Sequence, residues 1–370
     1  MSAEFPLPPL ENLSAIPSPA LLIVWERVEE NIRRMLSIAG CPSRLRPHVK
    51  THKLPQIVSF LVSQGVNKVK CATIAEAEMS ATAGATDVLL AGHPTGPAIQ
   101  RFLALQAGFP GVRFSTLADD REVLQKINDA AVRAGQVVEI LIDLDVGQQR
   151  TGILPAEAAG FAEFMKTLPG IRPGGLHAYD GHLHQRDAAE RAAACEAAYA
   201  PVEKLRMELI AEGLPVPRVV VGGTPCFPVH ARRDGVECSP GTCVLWDAGY
   251  GTNLPDLDFL PAALLLTRVI SRPGQNRLCL DLGHKAVASE MPHPRVIFPE
   301  LPEARTVMHS EEHLVLETGR AAEVAAGTAF LGIPWHVCPT AALHGTVFVM
   351  KNNQPDEEWP VTARARRLTY

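Results

Sequence analysis

Arg46-Pro47-His48-Val49-Lys50-Thr51-His52-Lys53 is the stretch best equipped for chemistry, since it sets lysines and histidines directly after a short apolar strand pattern. A lysine at the C-terminal end of a barrel strand can point into the barrel mouth, lose solvation and form an imine with an aldehyde cofactor. Lys50 has that position; the bland alternative is a basic surface loop. Two Gly-Thr pairs bear on the choice. Val221-Gly222-Gly223-Thr224-Pro225 ends the seventh apolar run, and Ser239-Pro240-Gly241-Thr242 follows the eighth. Loops after strands seven and eight of a barrel commonly hold a phosphate through glycine N–H groups and a hydroxyl. Gly223, Thr224, Gly241 and Thr242 in that order, together with a strand-end lysine, are hard to explain as ordinary turns.

The elements that must position these residues are legible as a repeating alternation. Strands are expected at 45–48, 68–72, 87–91, 112–116, 137–143, 174–178, 218–221 and 236–238. Between them lie patterns such as DREVLQKINDAAVRAG, with Ala, Leu and Glu at helical spacing. Eight strand–helix alternations predict a (β/α)8 TIM-type barrel, an α/β fold; a doubly wound sheet shares the alternation and is the competing architecture. After Asn253 the long Ala-rich patterns give way to short runs broken by Pro, Gly and Asn, which predicts a C-terminal mainly-β domain. The expected division is an N-terminal segment 1–25 whose apolar 20–25 adds a strand to the β domain, a barrel over 26–252, and the β domain over 253–370. The final ARARRLTY reads as a solvated basic tail.

Composition narrows the partners. A hydrophobic fraction of 46% and a charged fraction of 20% describe a globular chain. A formal net charge of −5 leaves no basic footprint for nucleic acid. No apolar run approaches the roughly 18 residues needed to span a bilayer. The N-terminus, with Glu4 and several prolines, lacks the cationic start and apolar core of a secretory signal. Eight scattered cysteines then read as reduced thiols in a cytoplasmic protein.

RPHVKTHK, the later DVGQQRTG and His336-Val337-Cys338 resemble the D-threonine aldolase/D-serine dehydratase family, alanine-racemase-like fold-type III enzymes of pyridoxal 5′-phosphate (PLP). The resemblance runs from Pro19 to the end of the chain. It implies that Lys50 carries the PLP, that Arg150 meets the cofactor ring oxygen, and that Tyr179 lies beside the cofactor. It also implies that Gly223, Thr224, Gly241 and Thr242 hold the phosphate, and that His336 and Cys338 bind a divalent metal, zinc or manganese, with magnesium a further option. The metal reading treats positions i and i+2 as neighbours on one face of an extended strand. The base for the substrate hydroxyl is His184 or His182, both close after Tyr179. A 3-hydroxy-D-amino acid substrate and a head-to-tail homodimer follow from the same resemblance. Two activities stay open: retro-aldol cleavage to glycine and an aldehyde, the D-threonine aldolase type, and dehydration to a 2-keto acid and ammonia. Aldolase members often carry Asp where this chain has Cys338, whereas dehydratase members carry Cys. A racemase would leave the metal pair without a task, and a non-enzymatic PLP-binding protein would lack the β domain.

Overall fold

The computed structural model describes residues 5–370, so the first four positions of the 1–25 segment lie outside the described residues. Two compact units emerge. One holds Met35–Lys50, Leu54–Gly241 and Ala365–Tyr370; the other holds the chain up to Arg34 with Thr51–Lys53 and Thr242–Arg364.

The first strand, β1 (Ala20–Val24), belongs to the second unit. The first unit contains seven parallel strands in chain order: β2 (Lys68–Cys71), β3 (Asp87–Leu90), β4 (Arg113–Ala118), β5 (Val138–Leu144), β6 (Ile171–Ala178), β7 (Val219–Val221) and β8 (Val236–Cys238). The eighth place is taken by the segment before Lys50. Leu45 bridges Cys238 and His48 bridges Lys70, both in parallel sense. Arg46 N–H donates to the Cys238 carbonyl at 2.9 Å, His48 N–H to Pro240 at 2.8 Å and Lys70 N–H to Pro47 at 2.9 Å. The segment thereby joins both edges of the sheet and closes the ring, which sets aside the doubly wound alternative. β6 starts three residues before its expected position. Pro173 and the register shift opposite Ile140/Leu141 hide the strand from an alternation test, and Gly175, at φ +110°, marks the irregularity.

Side chains facing the barrel interior recur every second residue and so form layers. The lowest layer is charged: Arg46, Asp87, Glu139 and Arg218 come from alternate strand positions. Arg46 reaches Asp87 at 2.8 Å and Glu237 at 2.7 Å. Arg218 pairs with Asp87 at 3.1 Å and also with Glu139, which Arg113 and Arg172 contact as well. Arg46 is fully buried, and a buried charge is tolerable only when paired this completely. Burial pushes the Asp87 carboxyl up, but Arg46, Arg218 and Arg113 outweigh it and hold it below its ordinary value. Leu89, Leu117, Leu141 and Val220 form an apolar cluster at the next inward positions. The layer after that carries Lys50, Asp143 and Tyr179, with Lys70 one position lower, opposite Leu89. Thr73, Asp120 and Asp187 cap the helices Ile74–Thr82, Arg121–Arg133 and Ala188–Ala211 through side-chain oxygens, which fixes where each loop ends.

The arginines of the tail are exposed, as a solvated basic tail requires, but its last two residues are anchored. Thr369 and Tyr370 N–H groups donate to Glu78 at 3.0 and 3.3 Å, and the Tyr370 ring meets Phe109 edge-on at 6.3 Å. Gly108 makes the room, because a Cβ there would lie 2.0 Å from the tyrosine hydroxyl. Counting the arginines of the tail overlooked its terminal aromatic.

In the second unit β9 (Ala263–Ser271), β10 (Arg277–Leu280), β11 (Val296–Ile297), β12 (Arg305–His309), β13 (Leu314–Glu317), β14 (Ala329–Pro334), β15 (Thr346–Lys351) and β16 (Gln354–Pro360) join β1. The main order is β12-β13-β10-β9-β1-β15-β16, with β14 on β9 and β11 on β14. β1 is antiparallel to β9 and parallel to β15, and all five of its residues are buried. An unbroken ALLIV run is what a strand covered on both faces requires. No helix among the described residues is long and apolar enough to cross a membrane.

Candidate active site

The upper barrel layer surrounds a cavity of about 300 Å³. Lys50 enters it from the short turn Val49–Thr51 that follows the first strand position. Lys70, Asp143, His177 and Tyr179 line it from strand ends; His93, Gln148, Arg150 and Thr151 do so from the loops after β3 and β5. Lys50, Arg150 and Tyr179, singled out in the sequence, therefore share one cavity. The Tyr179 ring is flanked by two cations, Lys70 Nζ at 5.3 Å and Arg150 Cζ at 5.2 Å from its centroid.

Asp143 is the acidic anchor of the cavity. It lies 2.7 Å from His177 Nδ1, accepts the Thr151 hydroxyl at 2.8 Å, and has His93 Nε2 at 3.4 Å. Burial pushes its carboxyl up, but His177, His93 and Thr151 together hold it far below the usual carboxylate range. Burial prevails at His177 and lowers its pKa despite Asp143. A neutral imidazole with its proton on Nδ1 follows. Its Nε2 is buried without a hydrogen-bond partner among the described residues, as is Gln148 Oε1. Two orphaned polar atoms among the lining residues of one cavity are what a polar ligand would satisfy.

The predicted phosphate loops are held from behind. Gly222 has φ +72°, and a Cβ there would lie 2.6 Å from His230 Cδ2; one on Gly223 would lie 3.0 Å from the Tyr179 ring. Gly223 N–H donates to Asp180 at 3.0 Å, and Gly241 N–H to the Thr224 hydroxyl at 3.2 Å. These two N–H groups shape the loops. Thr242 belongs to the second unit, where it is buried in the turn Thr242–Val244.

Asp180 also binds His230 Nε2 at 2.7 Å, and Cys195 Sγ lies 3.3 Å from the same nitrogen. Burial pushes His230 down, but Asp180 and Cys195 prevail and raise it to about 9. Because the folded value exceeds the unfolded one, the stabilisation is full below about pH 6.5 and is lost as pH rises through about 9. Unfolding free energy from urea titration should fall by about 3 kcal/mol over that interval, beyond any fall in His230→Asn. Equal slopes in both proteins would show that the pair does not hold the loop.

The histidines after Tyr179 are placed differently. His184 is exposed and does not line the cavity. His182 is half-buried with Nε2 against Gly147, where a Cβ would come within 2.8 Å. Lys70, His93, Asp143 and His177 were not singled out in the sequence, although Lys70 and Asp143 each stand two residues after another inward position, Lys68 and Leu141.

His336 and Cys338 are not on an extended strand. β14 stops at Pro334, His336 occupies the N-cap position at φ −132°, and Cys338 lies in the first turn of the helix Val337–Leu343. Pro339 explains the change: it has no N–H for a ladder, and its fixed φ suits a first helical turn. Asp247 secures this turn by accepting Val337 N–H at 3.0 Å while capping Ala248–Asn253 through Tyr250 N–H at 2.9 Å. The two side chains still meet, since Cys338 is a hydrogen-bond partner of the imidazole. His336 Nδ1 lies 2.5 Å from Glu290. A carboxylate on one ring nitrogen leaves the other for a metal, a common arrangement around metal-binding histidines. Imidazole and thiolate together suit zinc.

The family described as "Alanine racemase, N-terminal domain" matches residues 23–246. The chain belongs to this family. A serine dehydratase domain family matches residues 262–350. A D-threonine aldolase from an Arthrobacter species is 30% identical over 97% of this chain and 96% of its own length. The crystal structure of D-threonine aldolase from Filomicrobium marinum aligns with a TM-score of 0.89 at 28% identity, covering 95% of this chain and 97% of that one. D-threo-3-hydroxyaspartate dehydratase from Delftia sp. HT23 aligns with a TM-score of 0.84 at 25% identity, covering 94% and 98%. The resemblance read from RPHVKTHK and its companions thus holds along the chain, which shares its fold-type III family with these lyases.

Proposed function

We propose that the protein is a PLP- and divalent-metal-dependent lyase that cleaves 3-hydroxy-D-amino acids in the manner of a D-threonine aldolase. The observation that carries this reading is the convergence of Lys50, Arg150 and Tyr179 on one cavity with orphaned polar atoms in its lining. Lys50 would hold PLP covalently, Arg150 would face its ring oxygen, and the loops at Gly223–Thr224 and Gly241–Thr242 would take its phosphate. When bound, PLP supplies an electron sink for the bond broken at Cα.

His336 and Cys338 would hold the metal that binds the substrate hydroxyl. A base must take the proton of that hydroxyl as Cα–Cβ breaks, and Cα must gain one to give glycine. His177, neutral and oriented by Asp143 at 2.7 Å, is the proton carrier within the cavity lining, with His182 and His184 the loop alternatives. A specific feature favours a second reading: Cys338 matches the dehydratase pattern, in which water leaves and the product hydrolyses to a 2-keto acid and ammonia.

Product analysis separates the two. Incubation with D-threonine should give equal amounts of glycine and acetaldehyde, and L-threonine should remain. Keto acid and ammonia as the only products from D-threonine and D-serine would assign the dehydratase.

A further inference from the structure

Lys70 stands at the end of β2, opposite Leu89 of β3 and bridged to His48, one inward position below Lys50. It is only 2% exposed and lines the cavity. It forms no hydrogen bond or ion pair among the described residues; its one close partner is the Tyr179 face, 5.3 Å away. Arg46 and Arg218, buried in the layer beneath, each have carboxylate partners, so this barrel pairs its interior cations where their role is structural. Packing at this position would need only the aliphatic stem, and a methionine would supply it without a desolvated charge.

The charged groups around Lys70 are Lys50 and Arg46, which repel it, and Asp180 and Asp143, which attract it. Arg150 lies on the same tyrosine ring, and His48 and His177 share the cavity. Burial first, then Lys50, lowers the Lys70 amine to about 7. A bound ligand carrying a phosphate and an anionic ring oxygen would favour the charged form again.

We propose that Lys70 is a positioning residue for the cofactor, holding a second positive charge against bound PLP and lowering the proton affinity of the nitrogen that joins PLP to Lys50. This rests on the PLP reading above. The sign is independent of which cofactor atom is nearest, because any neighbouring cation disfavours protonation of that nitrogen. The reason for retaining an unpaired buried lysine then lies in the ligand, consistent with perturbed groups gathering at functional clefts.

The test is a pH titration of the visible absorbance of holoprotein for wild type, Lys70→Met, Lys70→Gln and Lys70→Arg, with PLP affinity from equilibrium dialysis and the thermal midpoint of each apoprotein. Lys70→Met and Lys70→Gln should raise the absorbance midpoint by about one pH unit or more, and Lys70→Arg should stay within a few tenths. Both neutral variants should bind PLP more weakly, while their apoproteins unfold no lower than wild type. An unchanged or lowered midpoint with unchanged PLP affinity in either neutral variant would overturn the proposal and leave Lys70 a packed stem. Wild type without a borohydride-reducible absorbance band would instead remove the PLP reading, and this inference with it.

Discussion

Lys50→Ala is expected to remain folded while D-threonine turnover drops by about a thousandfold or more. The side chain belongs to a three-residue turn beside the cavity, and the barrel is held by other groups: the Arg46–Asp87–Glu237 pairs below it and the backbone bonds of Arg46 to Cys238 and His48 to Pro240. Removing Lys50 therefore takes away the amine and little packing. The near-UV circular dichroism of the apoprotein and its thermal midpoint should match those of wild type. Lys50→Arg should be equally inactive, because a guanidinium keeps the charge but does not form the covalent link at neutral pH. Activity in either variant within tenfold of wild type would move the chemistry to another residue.

Exhaustive chelation should abolish turnover while the visible absorbance of bound PLP persists, because the covalent link at Lys50 would hold the cofactor without the metal. Zinc or manganese should restore activity to wild type but not fully to His336→Ala. Glu290, 2.5 Å from the second nitrogen of His336, adds a finer expectation: Glu290→Gln should weaken the metal about tenfold or more without removing a ligand. Cys338→Asp replaces a soft thiolate by a hard carboxylate and should shift metal preference from zinc toward manganese or magnesium. Full activity after chelation, with no metal by elemental analysis, would return both residues to a structural role at a helix start.

The barrel was legible in the sequence because its strands are short apolar runs in strict alternation with Ala-rich helices, and seven of them fall within a few residues of where that pattern puts them. The eighth, at 45–48, exists as two bridges and three backbone bonds; closure of the ring was not in the pattern. Lys50 was visible because it follows a strand end in a polar string. Lys70 was not, since Lys68-Val69-Lys70 reads equally as the solvated face of an edge strand until the ring closes around it. Asp143 and His177 were missed for a related reason: each sits inside a strand, and nothing local indicates that they meet. At His336 and Cys338 spacing misled, because the two-residue period holds only on a strand and Pro339 had already turned the chain into a helix.

Borohydride reduction of the holoprotein followed by peptide mapping tests the central claim most directly. Lys285 is more than half exposed in ion pairs with Glu311 and Glu312, and Lys53 lies in the second unit, so neither is placed to compete within the cavity lining. Lys70 is the rival amine in that lining. A single reduced phosphopyridoxyl group is expected on Lys50; the same label on Lys70, or on neither, would overturn the assignment of Lys50.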